Sequence, residues 1–140
     1  MIIDHLGIVV KDIENGIAQW KDIFGYRQKT EVVVNTRQKV KVVFMEKQDS
    51  LEVKLIEPVD STSPIANMAN RGGGIHHICF KCDDLNTSLN ELKNKGNIIL
   101  VKPQPGEAFK NENIAFLLAK NNLPIELTDT DKRASVIPEN

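Results

Sequence analysis

The 140-residue chain lacks a surplus of charge of either sign, with 18 basic residues against 19 acidic ones and a net charge of −1. Neutralising a phosphate backbone or an anionic lipid surface takes a clustered cationic excess, so neither a nucleic acid nor a membrane is expected as a partner. Cysteine is scarce too. Cys79 and Cys82 are the only two, and a chain of this size buries enough surface to fold without staples, which points to a reducing, cytoplasmic setting. No apolar run approaches the roughly 20 residues that a membrane-spanning helix needs. The opening segment Met1 to Asp12 carries Asp4 and His5 inside its apolar stretch and is followed by no small-residue cleavage pattern, so no secretory leader is expected. Aromatic residues make up 5% of the chain, with a single tryptophan, Trp20.

What the chain has instead is internal repetition. Asp4-His5-Leu6-Gly7-Ile8-Val9-Val10-Lys11-Asp12-Ile13 aligns with His76-His77-Ile78-Cys79-Phe80-Lys81-Cys82-Asp83-Asp84-Leu85 at an offset of 72 residues. At the same offset Ile13, Ile17 and Trp20 fall on Leu85, Leu89 and Leu92, the i, i+4, i+7 spacing of a helix with one apolar stripe. Asp12 and Asp84 stand where an N-cap belongs, and Gly25 and Gly96 where the two helices end. Strand signals follow in the first half at Lys29 to Val34, Val40 to Met45 and Leu51 to Ile56, and in the second at Ile98 to Val101, Asn113 to Leu118 and Ile125 to Thr128.

Each half therefore reads βαβββ. A unit of that size is too small to bury its own sheet, so the expected fold is α+β: two pseudo-symmetric βαβββ modules forming one strongly curved mixed sheet with the helices outside. The divisions are module 1 over about 1–58, a connector over 59–74 with a short helix opening at Ser63-Pro64, module 2 over about 75–129, and a tail over 130–140. That tail has no apolar period and is expected to be loosely held.

Four polar residues interrupt these strands in matching pairs: His5 with His77, and Lys54 with Glu126. In a curved sheet with this symmetry they meet across the concave face. Taken singly, a charged strand residue usually marks a solvated face. Taken together, two imidazoles and a carboxylate make a plausible facial set for a divalent first-row metal. His76 neighbours His77 on the strand and is expected to point the other way. Cys79 and Cys82 look like a CxxC pair, but residues i and i+3 of a strand face opposite sides, so both read as core residues.

These motifs in order, from Asp4-His5-Leu6-Gly7-Ile8-Val9-Val10 through Ser63-Pro64-Ile65-Ala66 and Gly74-Ile75-His76-His77-Ile78-Cys79 to Ile125-Glu126-Leu127, resemble the vicinal oxygen chelate superfamily. Within it the resemblance is first to methylmalonyl-CoA epimerase and next to glyoxalase I, and it spans Met1 to about Asp129. It implies a divalent metal, cobalt, nickel, manganese or zinc, held by His5, His77 and Glu126. It also implies proton abstraction beside a carbonyl of a small acyl thioester such as an acyl-CoA, and a homodimer, in which edge strands such as Leu51 to Ile56 would be protected by pairing. The physics supports such chemistry, because a carbon acid is weak until a fixed positive charge meets the developing oxyanion.

The chain departs from the pattern at Lys54, four residues before Pro58, where relatives place glutamate or glutamine as a fourth ligand. An ammonium has no lone pair to donate. Three outcomes stay open: a three-ligand metal site, a lysine cation in the metal's place paired with Glu126, or a desolvated Lys54 acting as base beside Glu126. Glu52 would serve as ligand only if the strand register shifted. The segment Val40 to Met45 has no carboxylate where epimerases carry their base, and the loops Pro105 to Asn111 and Lys120 to Pro124 differ from theirs. A glyoxalase-like lyase, a metal-free small-molecule binder relying on Lys54, and an accessory subunit with a decayed site are the competing readings.

Overall fold

The computed structural model describes residues 1–139. In chain order the elements are β1 (Ile2–Val9), α1 (Ile13–Asp22), β2 (Arg27–Gln28), β3 (Val33–Asn35), β4 (Val40–Glu46), β5 (Glu52–Pro58), α2 (Ala66–Asn70), β6 (Gly74–Lys81), α3 (Leu85–Asn94), β7 (Ile98–Gly106), β8 (Glu112–Ala119) and β9 (Leu123–Thr128). The nine strands form one curved, open, mixed sheet in the order β2-β4-β5-β1-β6-β9-β8-β7, with β3 paired to β4.

The repeat in the sequence is a repeat in space. β1 runs parallel to β5 and β6 parallel to β9, while β1 and β6 pair antiparallel, so a pseudo-two-fold axis passes between the two central strands. Both helices begin where a side chain can serve their unpaired first-turn amides: Asp12 accepts from the Asn15 amide at 2.8 Å and Asp84 from the Thr87 amide at 2.9 Å. They stop before Gly25 and Gly96, whose φ values of 74° and 97° reverse the chain at no Cβ penalty.

Strand alternation separates two kinds of core. Val43, Met45, Val53 and Leu55 turn to the outer face and pack under Ile13 and Ile17 of α1. Ala115, Leu117, Ile125 and Leu127 do the same under Leu85 and Leu89 of α3. The alternate residues Val42, Phe44 and Ile56 turn inward and meet Phe109, Ile114 and Phe116 of the other module. Lys54 and Glu126 belong to this inner set by the same period of two. Both cysteines are buried and unpaired, as core residues.

Three expectations are corrected. The strand expected over Lys29 to Val34 is split, because the tail claims its backbone: the Glu31 amide donates to the Ser135 carbonyl at 2.9 Å and the Ile137 amide to the Lys29 carbonyl at 2.8 Å. The tail is accordingly not loose; Thr30 pairs with Val136, and the Ala134 amide donates to the Ala108 carbonyl at 2.9 Å. And β5, read as an edge strand that a dimer would protect, lies inside the sheet between β4 and β1, which removes that argument for a dimer. At one true edge of the sheet, β7 is blunted by Pro103 and Pro105 and by register irregularities. Among the described residues, no helix is long and apolar enough to cross a membrane.

Candidate active site

His5, Lys54, His77 and Glu126 converge on the inner face, as their spacing predicts. Three donors point at a single atom: His5 Nε2 lies 2.9 Å from Glu126 Oε1, Lys54 Nζ 2.9 Å and His77 Nε2 3.1 Å. Glu126 is 1% exposed and Lys54 6%. Burial alone would raise the Glu126 carboxyl, but the Lys54 charge and the imidazole contacts outweigh it and hold the acid well below the usual carboxylate range.

Two symmetric bulges build the surroundings. Between β1 and β6, Ile3 pairs with Phe80 and His5 with Cys79, which leaves Asp4 as an extra residue; across the axis Gly7 pairs with His77 and Ile8 with Ile75, which leaves His76 as the extra one. A bulge suspends the alternation of faces and re-aims a side chain. Asp4 Oδ2 therefore reaches His5 Nδ1 at 2.7 Å, and His76 Nδ1 reaches His77 Nδ1 at 2.7 Å. The expectation that His76 points away is thus corrected, since period-two reasoning fails where a residue is inserted. Gly7 completes the design, because a Cβ there would overlap the His77 imidazole.

The second imidazole has a definite proton arrangement. Burial and the neighbouring Lys54 cation push His77 down to about 3, so its ring is neutral. Its one proton donates from Nε2 to Glu126, and its Nδ1 accepts from Nδ1–H of His76. His76 is also lowered, by burial and by Lys54, and its Nε2 is left as the unprotonated nitrogen. His76 lines a cleft of about 420 Å³ with Val40, Ile56, Ile65, Val101 and Phe116. The cluster therefore lies one imidazole deep from an apolar cleft that spans both modules.

Arg133 is the residue that sequence reasoning missed. Its Nη2 donates to Asp4 Oδ2 at 2.6 Å and its Nε to Glu52 Oε1 at 2.9 Å, while the guanidinium stacks over Phe44 at 4.3 Å and Phe109 at 5.0 Å. Glu52 also accepts from Lys29 Nζ at 2.8 Å, so its carboxylate is committed to two cations and is no substitute ligand for Lys54. An aperiodic tail gives no sequence signal for such a contact.

The divalent ion that the resemblance implies makes definite demands on this donor set. Donors about 2.1 Å from a common ion sit about 3.0 Å apart at adjacent octahedral corners, which suits the spacings of His5 Nε2 and His77 Nε2 from Glu126 Oε1, 2.9 and 3.1 Å. Asp4 on His5 Nδ1 suits a ligand histidine as well. The fourth corner does not fit. At an effective dielectric of about 20, a dication and an ammonium about 4 Å apart repel by about 8 kcal/mol, and Lys54 already gives its proton to the one oxygen an ion would share. With Lys54 in place the set does not fit a divalent ion.

Comparison with known proteins finds relatives of this chain among acyl-CoA epimerases. The chain is 36% identical over 95 residues to the human mitochondrial methylmalonyl-CoA epimerase, covering 66% of this chain and 53% of that protein, so it spans about half the length of that relative. It is 29% identical over 124 residues to the ethylmalonyl-CoA/methylmalonyl-CoA epimerase of Cereibacter sphaeroides, covering 85% of this chain and 89% of that one. A variant of the Streptomyces coelicolor methylmalonyl-CoA epimerase in complex with 2-nitronate-propionyl-CoA superposes with a TM-score of 0.82 at 25% identity, over 94% of this chain and 98% of that one. The profile of the Glyoxalase/Bleomycin resistance protein/Dioxygenase superfamily matches residues 4–116, which include both imidazoles and Lys54 of the cluster, and the chain belongs to that superfamily.

Proposed function

We infer that the protein is an isomerase that moves a proton at the carbon next to the carbonyl of a small acyl thioester, an epimerase of acyl-CoA substrates. The observation that carries this reading is the convergence of His5, Lys54 and His77 on Glu126 Oε1 beside an apolar cleft. The likeness to methylmalonyl-CoA epimerases supports it.

Proton transfer is assigned to the Glu126–His77–His76 row. His76 takes the proton on Nε2 at the cleft wall. His77 accepts from its Nδ1–H and so holds the ring in that tautomer, and Glu126 fixes His77 in turn. The electron pair released from carbon moves to the thioester oxygen; the planar carbon then takes a proton from a solvent water on the opposite face, which inverts the centre, and His76 passes its proton to the hydroxide left behind. His5 and Asp4 position Glu126 from the other side. A divalent ion, which the resemblance implies, would supply a charge to meet such an oxygen; His5, His77 and Glu126 are the residues of this chain that would face one. The apolar lining of the cleft suits a short acyl group, and a cytoplasmic setting suits two unpaired thiols.

The test is deuterium exchange at C2 of methylmalonyl-CoA in D2O, followed by NMR. Wild-type protein is expected to exchange the C2 proton, and His76→Gln to lose that exchange by about 10²-fold or more with an unchanged melting temperature. No exchange with methylmalonyl-CoA, ethylmalonyl-CoA or a simple 2-methylacyl-CoA would sink the reading.

A further inference from the structure

The geometry points to Lys54 as the resident cation of this site: its ammonium holds the place of a divalent ion, and the chain works without a metal. Three observations carry this.

The first is the charge count of the interior. Asp4, Glu52 and Glu126 are the acids of the connected network, and Lys29, Lys54 and Arg133 are its bases, each in direct contact with one or two of those acids. Counting the carboxylates, ammoniums and guanidinium, the network is neutral as it stands, and His5, which bridges Asp4 and Glu126, adds no negative charge to it. A divalent ion added to it would leave a twofold surplus of positive charge under a roof of Phe44, Phe109 and Phe116. Were position 54 a neutral donor, the same network would be negative by one and would attract a cation; were it a glutamate, negative by two, which a divalent ion would cancel.

The second is where the ammonium sits. Lys54 occupies the position related by the pseudo-two-fold to Glu126, so the sheet register brings the two together, Phe44 opposite Lys54 and Phe116 opposite Glu126. Its Nζ lies 2.9 Å from Oε1, the oxygen that His5 and His77 also face, and 5.5 Å from the Phe109 ring centroid. A positive charge is therefore already at the focus of the donor set, on a tether that is nine-tenths buried.

The third is unused donor capacity. An ammonium carries three N–H groups. Lys54 gives one to Glu126 and, among the described residues, makes no other hydrogen bond. A buried cation with two N–H groups to spare is equipped to receive a ligand oxygen. Resting on the isomerase reading above, that oxygen is the thioester carbonyl, whose negative charge grows as the proton leaves carbon; Lys54 lies behind the cleft wall, so the carbonyl must reach past His76 to meet it, and the ammonium then does by hydrogen bonding what a Lewis acid does by coordination.

The experiment reads metal content first and activity second. Untagged protein from cells grown with added cobalt, nickel, manganese and zinc, purified without chelator, is measured by inductively coupled plasma mass spectrometry beside Lys54→Gln and Lys54→Glu. Wild type is expected to carry less than about 0.1 equivalent of any of these metals, and Lys54→Glu about one equivalent, with cobalt giving a visible absorption spectrum that wild type lacks. Exchange by the wild type is expected to be unchanged by EDTA and to fall by about 10²-fold or more in Lys54→Gln. A stoichiometric metal in the wild type overturns the inference, as do folded Lys54 variants that bind no cobalt. If neither variant folds, the wild-type metal content decides alone. A metal-free wild type that exchanges no C2 proton counts against the assigned reaction and leaves the charge substitution standing, so the two failures are distinct.

Discussion

Replacing Arg133 by alanine should cost the protein a large part of its stability, although the residue lies in a tail with no sequence periodicity. Its guanidinium is 5% exposed and binds Asp4 at 2.6 Å and Glu52 at 2.9 Å. Removing one partner of a buried ion pair costs about 3–5 kcal/mol, because the remaining charge is left uncompensated. Here the lower end applies, since Asp4 keeps His5 and Glu52 keeps Lys29. Loss of the stack on Phe44 and Phe109 adds about 1 kcal/mol. The expected total is about 4 kcal/mol, or a fall in melting temperature of about 12 °C at a chain length of 140 residues. Urea denaturation of Arg133→Ala reads the first figure and calorimetry the second. A double-mutant cycle with Asp4→Asn should return a coupling of about 1–3 kcal/mol. Lys132→Ala is the control: its ion pair with Glu112 is just as short, 2.7 Å, but the lysine side chain is 60% exposed, so the loss should stay within about 1 kcal/mol. A cost for Arg133→Ala no larger than that of the control would refute the claim that the tail is anchored through the interior.

Two further outcomes follow from the site. Gly7→Ala should displace the His77 ring, lower C2 exchange by about 10²-fold and destabilise the fold by only about 1–3 kcal/mol; an active Gly7→Ala protein would show that the ring position does not matter. Stability should fall on acidification below pH 6.5, because unfolded His77 takes up a proton near its ordinary value while the folded ring, pushed down to about 3, does not, and the slope approaches about 1.4 kcal/mol per pH unit. Glu126 adds to the loss at lower pH, its folded value being depressed. Urea midpoints between pH 7.5 and 5 test this, and midpoints that stay level or rise towards acid, or a His77→Gln variant with the same slope, would contradict it.

Much of the architecture was legible because it is written twice. A 72-residue repeat of strand, capped helix and alternating strands leaves little freedom once both apolar stripes need a shared sheet, and it placed His5, Lys54, His77 and Glu126 on one face before any coordinates. Three features were not legible. His76 lies on the same side as His77 because of an inserted bulge residue, and period-two alternation has no term for an insertion. Glu52 is spent on Arg133 and Lys29, which come from 81 and 23 residues away. β5 looked like an edge because pairing order is a property of the closed sheet.

By itself the sequence determined the two-module fold and the identity of the polar quartet, since both follow from local period and repetition. Only the tertiary structure decided what that quartet is. The meeting of Lys54 Nζ with Glu126 Oε1, and the balance of one buried and two half-buried acids by three bases drawn from β1, β5, β9 and both chain-distant segments around Lys29 and Arg133, exist only when the sheet has closed. Electrostatics in a buried interior depends on distance in space, and the linear spacing of residues does not encode it.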